Sequence, residues 1–250
     1  MNRAKAQYPP ADGTALSEAQ LAQVRRQLAQ HHHGPFTCDL PYGGSLRGFA
    51  LNAGVFRADI MTASKLLADF LFQNKELYRG KTVIDMGCGS GIQGVVAGIN
   101  GAESVIYSDI SHKAADNARE NAERFGIAGK SVVVQGDLFE NVRKKADVMI
   151  FNHPFFAANP LEDEPVSNSM LQPPETLERF FREAGEHLNP GGIIVTTFFH
   201  FAGTANNPQI VGSRHGYAVE IEVPLEGQGM QSGSFSIYVL KPARVGMEGR

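Results

Sequence analysis

Three carboxylates sit at the ends of three short apolar runs. Asp85 closes "KTVID", Asp109 closes "ESVIYSD", and Asp137 follows "KSVVVQG". A glycine turn, Gly87-Cys88-Gly89-Ser90-Gly91, comes just after the first. A fourth run, "ADVMIF", leads into Asn152-His153-Pro154-Phe155-Phe156. A strand that only had to turn would end in Gly, Asp or Asn followed by small polar residues. Two aromatic rings there have to be covered, and a ligand is one way to cover them.

The glycine turn departs from a dinucleotide loop. That loop is G-x-G-x-x-G, but here Ile92 takes the third position and the glycine comes one residue early, at Gly91. The turn holds no Lys or Arg, which a phosphate cradle would want beside a free helix N-terminus. Asp109 is placed to accept both hydroxyls of a ribose, and Asp137 falls near where an adenine ring would rest. Together these residues point to a nucleoside ligand without phosphates. The plainer alternative makes all three acids helix caps and turn residues. Cys88 reads as a small residue in a tight turn, since the sequence offers it no partner base.

The elements that must position these residues follow from periodicity. Ser17-x-x-Gln20 is a capping box, with Leu21, Val24 and Leu28 at helical spacing, so a helix is expected over about 17–32. His31-His32-His33 reads as its solvated end, because consecutive residues point in different directions around a helix and make a poor metal site. No metal set is expected. Residues 34–55 read as irregular or short strands, and 58–78 as a helix. From residue 81, strands alternate with helices, which implies βαβ units and a mostly parallel sheet. Ser111 caps a helix carrying an alanine stripe, and Gly126 stops it. The last two strands, "YAVEIEVPL" and "GSFSIYVLKP", are joined by a Gly-rich turn and must pair antiparallel. The expected fold is α/β: a Rossmann-like, doubly wound, seven-stranded sheet with an antiparallel edge strand. Residues 1–55 form a helical or irregular cap and 56–250 the ligand-binding domain.

"VIDMGCGSG", "YSDIS" and "GDLF" resemble motifs I, II and III of the class I S-adenosylmethionine-dependent methyltransferases, over about residues 50–242. The resemblance implies S-adenosylmethionine as cofactor. It places Gly87, Cys88, Gly89 and Gly91 against the methionine part, and Asp85 on its amino group. It places Asp109 on the ribose, Ile110 on the adenine face, and Asp137 and Leu138 at the adenine edge. Asn152-His153-Pro154-Phe155 resembles the NPPY/F signature of methyltransferases acting on planar nitrogens, such as release-factor glutamine and ribosomal RNA enzymes. "GVFRADIMTASKLLADFL" resembles the matching region of the glutamine and small-domain rRNA enzymes.

The logic of that signature is physical. A planar NH₂ is a poor nucleophile because its lone pair is delocalised. The Asn oxygen and the next backbone carbonyl each accept one of its hydrogens, and the aromatic ring stacks on the planar acceptor. Here His153 replaces the first proline; its carbonyl survives, and its ring is either a base or a space filler. "TTFFHFAG" should bring Phe198, Phe199 and His200 beside Phe155 and Phe156, as core packing or as an apolar acceptor pocket that Phe56 closes. Tyr42, Arg47 and Arg57 are further candidates for substrate contact.

Net charge is −3 with pI ≈ 6.2, and basic residues cluster only briefly, at Arg25-Arg26 and Arg143-Lys144-Lys145. That balance makes nucleic acid an unlikely partner on charge alone. The two cysteines do not form a disulfide framework. No secretory signal or apolar span is evident, so the cytoplasm is the expected compartment. The leading expectation is N-methylation of a small molecule or of a peptide or amide group. The alternatives are methylation of protein glutamine or RNA, cyclisation or aminoalkyl transfer releasing methylthioadenosine, and a non-catalytic cofactor-binding module. Oligomeric state is left open.

Overall fold

The computed structural model describes residues 16–162, 165–225 and 235–243. In chain order the elements are α1 (Glu18–Leu28), β1 (Phe36–Leu40), β2 (Leu46–Leu51), α2 (Thr62–Gln73), β3 (Thr82–Met86), α3 (Ile92–Ile99), β4 (Ser104–Asp109), α4 (His112–Arg124) and β5 (Ser131–Gln135). They continue as β6 (Ala146–Phe151), β7 (Phe156–Ala157), β8 (Leu171–Gln172), α5 (Pro174–His187), β9 (Leu188–Phe199), α6 (Pro208–Arg214), β10 (Tyr217–Leu225) and β11 (Phe235–Pro242). The expected Gly-rich turn before β11 lies outside the described residues.

Seven strands form one sheet in the order β10-β11-β9-β6-β3-β4-β5. β5, β4, β3, β6 and β9 run parallel, and β11 lies antiparallel between β9 and β10. The chain winds outward from β3 through β4 to β5, then returns to place β6 on the other side of β3. The carboxyl ends of β3 and β6 therefore flank the switch in strand order, where open α/β sheets bind ligands. This is the fold the alternation of elements implied.

Both faces of the sheet are covered. Val83, Val148 and Val195 pack into one apolar cluster, while Ile84, Met149 and Ile194 pack into the other. All six are 0% exposed. Strands buried on both faces read as continuous apolar runs, as β3, β6 and β9 do. The β1–β2 hairpin joins the first cluster through Leu46, Phe49 and Leu51. Its backbone is satisfied by α4: Asn117 and Asn121, each 0% exposed, both donate to the carbonyl of Ala50. Asn121 also accepts from the Ala50 amide.

Two helices are shorter than expected. The capping box of α1 forms, with Ser17 and Gln20 bonded reciprocally, but the helix ends at Leu28. There the amides of Gln30 and His31 turn back to the carbonyls of Gln27 and Leu28. α2 covers Thr62–Gln73, and Lys75–Leu77 forms a separate 3₁₀ turn. The ladder of β7 with β8, two residues long on each side, had no signal in the sequence.

Candidate active site

The glycine turn lines one wall of a cavity of about 1050 Å³. Gly87, Gly89 and Gly91 all have positive φ, at 57, 53 and 80°. Gly91 is the residue that caps α3, and a Cβ there would come within 3.0 Å of Ala118 and 3.2 Å of Tyr107. Only glycine fits both the dihedral and the approach. Asp85 is 2% exposed and accepts from the Gly94 amide at 2.8 Å. Burial, reinforced by the charge of Asp109, pushes its carboxyl up to about 8. Cys88 is buried, and burial raises its thiol well above the ordinary range, so it carries no thiolate.

Asp109 ends β4 against this turn. One carboxylate oxygen accepts from Gly89 and the other from Ser111, both at 2.9 Å. Burial raises its pKa and those amides oppose the rise. Ile110, next along the cavity wall, is 60% exposed. An apolar side chain that open offers the cavity a flat apolar face. Leu138 adopts φ 51°, with its carbonyl accepting from Ser108 Oγ at 2.9 Å. Asp137 lines the same cavity but is paired with Arg179 of α5 at 2.8 Å. Sequence reasoning missed Arg179, because nothing in a helix 42 residues away signals that it meets Asp137.

Asn152 and Pro154 line this cavity as well. The Asn152 Oδ1 accepts from Thr197 Oγ1 at 2.6 Å, and its Nδ2 donates to Ser64 Oγ at 3.3 Å. Neither partner was foreseen. His153 departs from the position a base would need. Its ring is 2% exposed, stacks on Phe198 at 6.1 Å and meets Phe155 edge-on at 5.4 Å, outside the cavity lining. Nδ1 lies 2.9 Å from the Pro154 carbonyl and 3.1 Å from the Gln172 side-chain amide. Burial lowers its pKa to about 4 against the pull of the backbone at Pro154 and Thr197. The ring is a core side chain that stays neutral.

Phe155 turns away from Asn152 into a second cavity of about 500 Å³, which Phe56, Phe156, Phe199 and Phe235 also line. Phe199 stacks on Phe235 at 4.6 Å and meets Phe156 edge-on at 6.3 Å. Phe56 and Ser169 belong to both cavities and join them. His200 lines neither; its Nε2 pairs with Ser236 Oγ at 2.8 Å. Tyr42, Arg47 and Arg57 line neither cavity either. Tyr42 is bonded to the Ala58 carbonyl, and Arg57 to Asp59.

The histidine triplet is a solvated end only in part: His32 is exposed and His33 half-buried, but His31 is not. His31 is 1% exposed and lines the larger cavity with His32 and His33. Early termination of α1 turns the chain inward, and Nδ1 of His31 donates to the Gln27 carbonyl at 2.8 Å, which the Gln30 amide shares.

Comparison with known proteins decides the family. The model of the "Methyltransferase small domain" matches residues 47–207. The chain belongs to this family of S-adenosylmethionine-dependent methyltransferases. A Methanocaldococcus jannaschii chain provisionally named a protein N5-glutamine methyltransferase is 28% identical over 166 residues, 62% of this chain and 82% of that one. The ribosomal protein L11 methyltransferase of Pelotomaculum thermopropionicum is 37% identical over 118 residues, 47% of this chain. The match spans 32% of that relative's length. Among solved structures, a 16S rRNA N2 methyltransferase of T. thermophilus superposes with TM-score 0.59 at 18% identity, covering 85% of this chain and 51% of that one. The likeness is one of fold.

The matched region is thus a methyltransferase domain of a family whose cofactor is S-adenosylmethionine. The residues present fit that group. The open Ile110 platform suits a flat base. The bare positive-φ turn leaves room for close approach of the methionine part. The acids suit a ribose and a cationic amine, and the buried Ser90 Oγ in the cavity wall still lacks a partner.

One expectation is overturned. The acidic balance argued against nucleic acid, yet the relatives include the ribosomal RNA small subunit methyltransferase C of Chromohalobacter salexigens, 33% identical over 116 residues, 46% of this chain and 31% of that one. Net charge sums over the whole surface, whereas binding responds to the local field. Lys113 stands on this cavity's wall beside its three acids, a local arrangement that the net −3 does not report. Among the described residues, no helix is long and apolar enough to cross a membrane.

Proposed function

We propose that this methyltransferase acts on a planar nitrogen, the N–H of a carboxamide in a peptide or small molecule. The observation that carries this is the seating of Asn152. Its amide is gripped on both sides, by Thr197 and Ser64, at the wall of the cofactor cavity. Bound S-adenosylmethionine supplies an electrophilic methyl group on a sulfonium. The second lone pair of Asn152 Oδ1 accepts one acceptor hydrogen. Fixing the nitrogen in this way contributes up to roughly 7–11 kcal/mol of the barrier lowering in the best cases. Phe56, which lines both cavities, excludes water and covers the apolar part of the acceptor. Asp109 and Ile110 hold the nucleoside, while Asp85 and the glycine turn hold the methionine part. Residues 16–55 act as the lid over the acceptor end, through His31. Both described cysteines are free, in keeping with the cytoplasm as working compartment.

A second reading takes a nucleobase nitrogen in RNA as the acceptor. Lys113 on the cavity wall favours it, as does the name of the ribosomal RNA relative. Purified protein, methyl-labelled cofactor and cell extract test both. Label that disappears from the macromolecular fraction with protease supports the peptide amide, and label lost to ribonuclease supports the nucleobase. Label on an oxygen, carbon or sulfur atom would sink both.

A further inference from the structure

The smaller cavity is enclosed partly by elements that the family match does not reach. Gln23, Arg26 and Gln27 of α1 and Phe235 of β11 line it, and all four lie outside residues 47–207. α1 is a fixed wall there. Val24 and Leu28 are buried in the core, and Gln20 Nε2 donates to the Phe201 carbonyl at 3.0 Å, just past β9. The volume of about 500 Å³ is in the range of small-molecule sites, roughly 300–1,000 Å³.

One segment walls both cavities. Asn152 and Pro154 line the larger, and Phe155 and Phe156 line the smaller. A molecule with its nitrogen at Asn152 can therefore run alongside Phe56, which lines both, into the smaller cavity. It meets rings there: Phe235 is stacked on Phe199 at 4.6 Å and met edge-on by Phe155 at 6.1 Å. Met61 and Met170 add polarisable thioethers, which favour an aromatic neighbour.

The polar side of the cavity is one helix face. Gln23, Arg26 and Gln27 stand at i, i+3 and i+4 on α1. Among the described residues, Arg26 is the one charged side chain in the lining and has no carboxylate partner. Its guanidinium donates to Gln23 Oε1 at 2.7 Å, which orients it and leaves further N–H groups for a ligand. A lone guanidinium matches a carboxylate in a two-point pair. A phosphate dianion would want a second cation, and Arg25 does not line the cavity.

We propose that the smaller cavity holds the body of the acceptor, an aromatic ring, and that a carboxylate on the same molecule pairs with Arg26. The inference rests on the planar-nitrogen reading above, which puts the reacting nitrogen at Asn152. α1 and Phe235 then select the acceptor.

The test uses the intact chain with ¹³C-labelled methionine methyl groups, saturated with S-adenosylhomocysteine, and 3-phenylpropanoate as the probe. Met61 and Met170 line the smaller cavity and Met86 the larger, so their methyl signals tell the two apart. The probe should shift Met61 and Met170 and leave Met86 in place. The neutral 3-phenylpropan-1-ol should bind about fivefold more weakly, the size of a good exposed ion pair. Arg26→Gln should weaken the acid by the same factor and leave the alcohol unaffected. Arg26 is exposed, so the variant should melt at the wild-type temperature. No shift of Met61 or Met170 up to about 10 mM probe, a generous limit for so small a ligand, would overturn the proposal. So would equal affinities for the acid and the alcohol, an Arg26→Gln variant that binds the acid as the wild type does, or a shift confined to Met86. The planar-nitrogen reading fails separately: methyl label on an oxygen, carbon or sulfur atom would remove it, while the methionine shifts would still place an aromatic carboxylate in the smaller cavity.

Discussion

Thr197 Oγ1 donates to Asn152 Oδ1 across 2.6 Å, linking the end of β9 to the end of β6. Thr197 is 1% exposed, so this bond is shielded from competing water. It fixes which end of the Asn152 amide is the acceptor. Asn152→Ala should leave cofactor affinity within about twofold and lower turnover by about 100-fold or more, since the lost interaction is one of orientation. Calorimetry and single-turnover kinetics on the same preparation separate the two. Collapsed affinity with normal turnover per bound complex would contradict the grip.

Ile110 is 60% exposed in the free protein. Ile110→Asp should therefore leave the melting temperature unchanged. It should weaken S-adenosylmethionine binding by about tenfold, the size expected when one apolar contact is lost. A melting shift with intact affinity would mean the side chain packs against protein instead.

Asp85 should couple cofactor binding to a proton. Its carboxyl is pushed up to about 8 by burial, so it is largely protonated at pH 7. A cationic cofactor favours the charged form, so binding should release a proton and tighten as pH rises from 6 towards 8. Calorimetry at pH 7 in two buffers of different ionisation enthalpy measures that release. Asp85→Asn should abolish it, and buffer-independent heats in the wild type would contradict it.

His153 should make the fold acid-sensitive. Folding lowers its pKa to about 4 from an ordinary 6.5. Between those values the unfolded chain binds the proton and the folded chain does not, so stability is lost as pH falls through this window. The full effect is of order 3 kcal/mol. His153→Phe should flatten that part of the profile in urea unfolding at pH 7 and pH 4. It should leave the pH dependence of turnover unchanged, because the ring lies outside the cavity lining. A slope as steep as that of the wild type would contradict the assignment.

The parts legible in the sequence were those whose signal is local. The glycine turn, Asp85, Asp109 and Asn152 each stand at the end of an apolar run, so their shared edge of the sheet follows from strand alternation. The parts that were not legible depend on tertiary partners. Arg179 meets Asp137 from another helix, and Thr197 meets Asn152 from another strand. His31 looked solvated because helical periodicity continued past Leu28. The chain stops there because local carbonyls recapture the amides of Gln30 and His31, which periodicity does not report. Whole-chain charge misled in the same way, by averaging over a surface of which the cavity wall is a small part.

The most direct measurement of the central claim is mass spectrometry of the products formed from purified protein, S-adenosylmethionine and cell extract. The account predicts S-adenosylhomocysteine only when extract is present, matched by one methyl group on a planar nitrogen of the acceptor. Methylthioadenosine formed without extract would mean that the cofactor itself is the substrate, and would contradict methyl transfer to a gripped nitrogen.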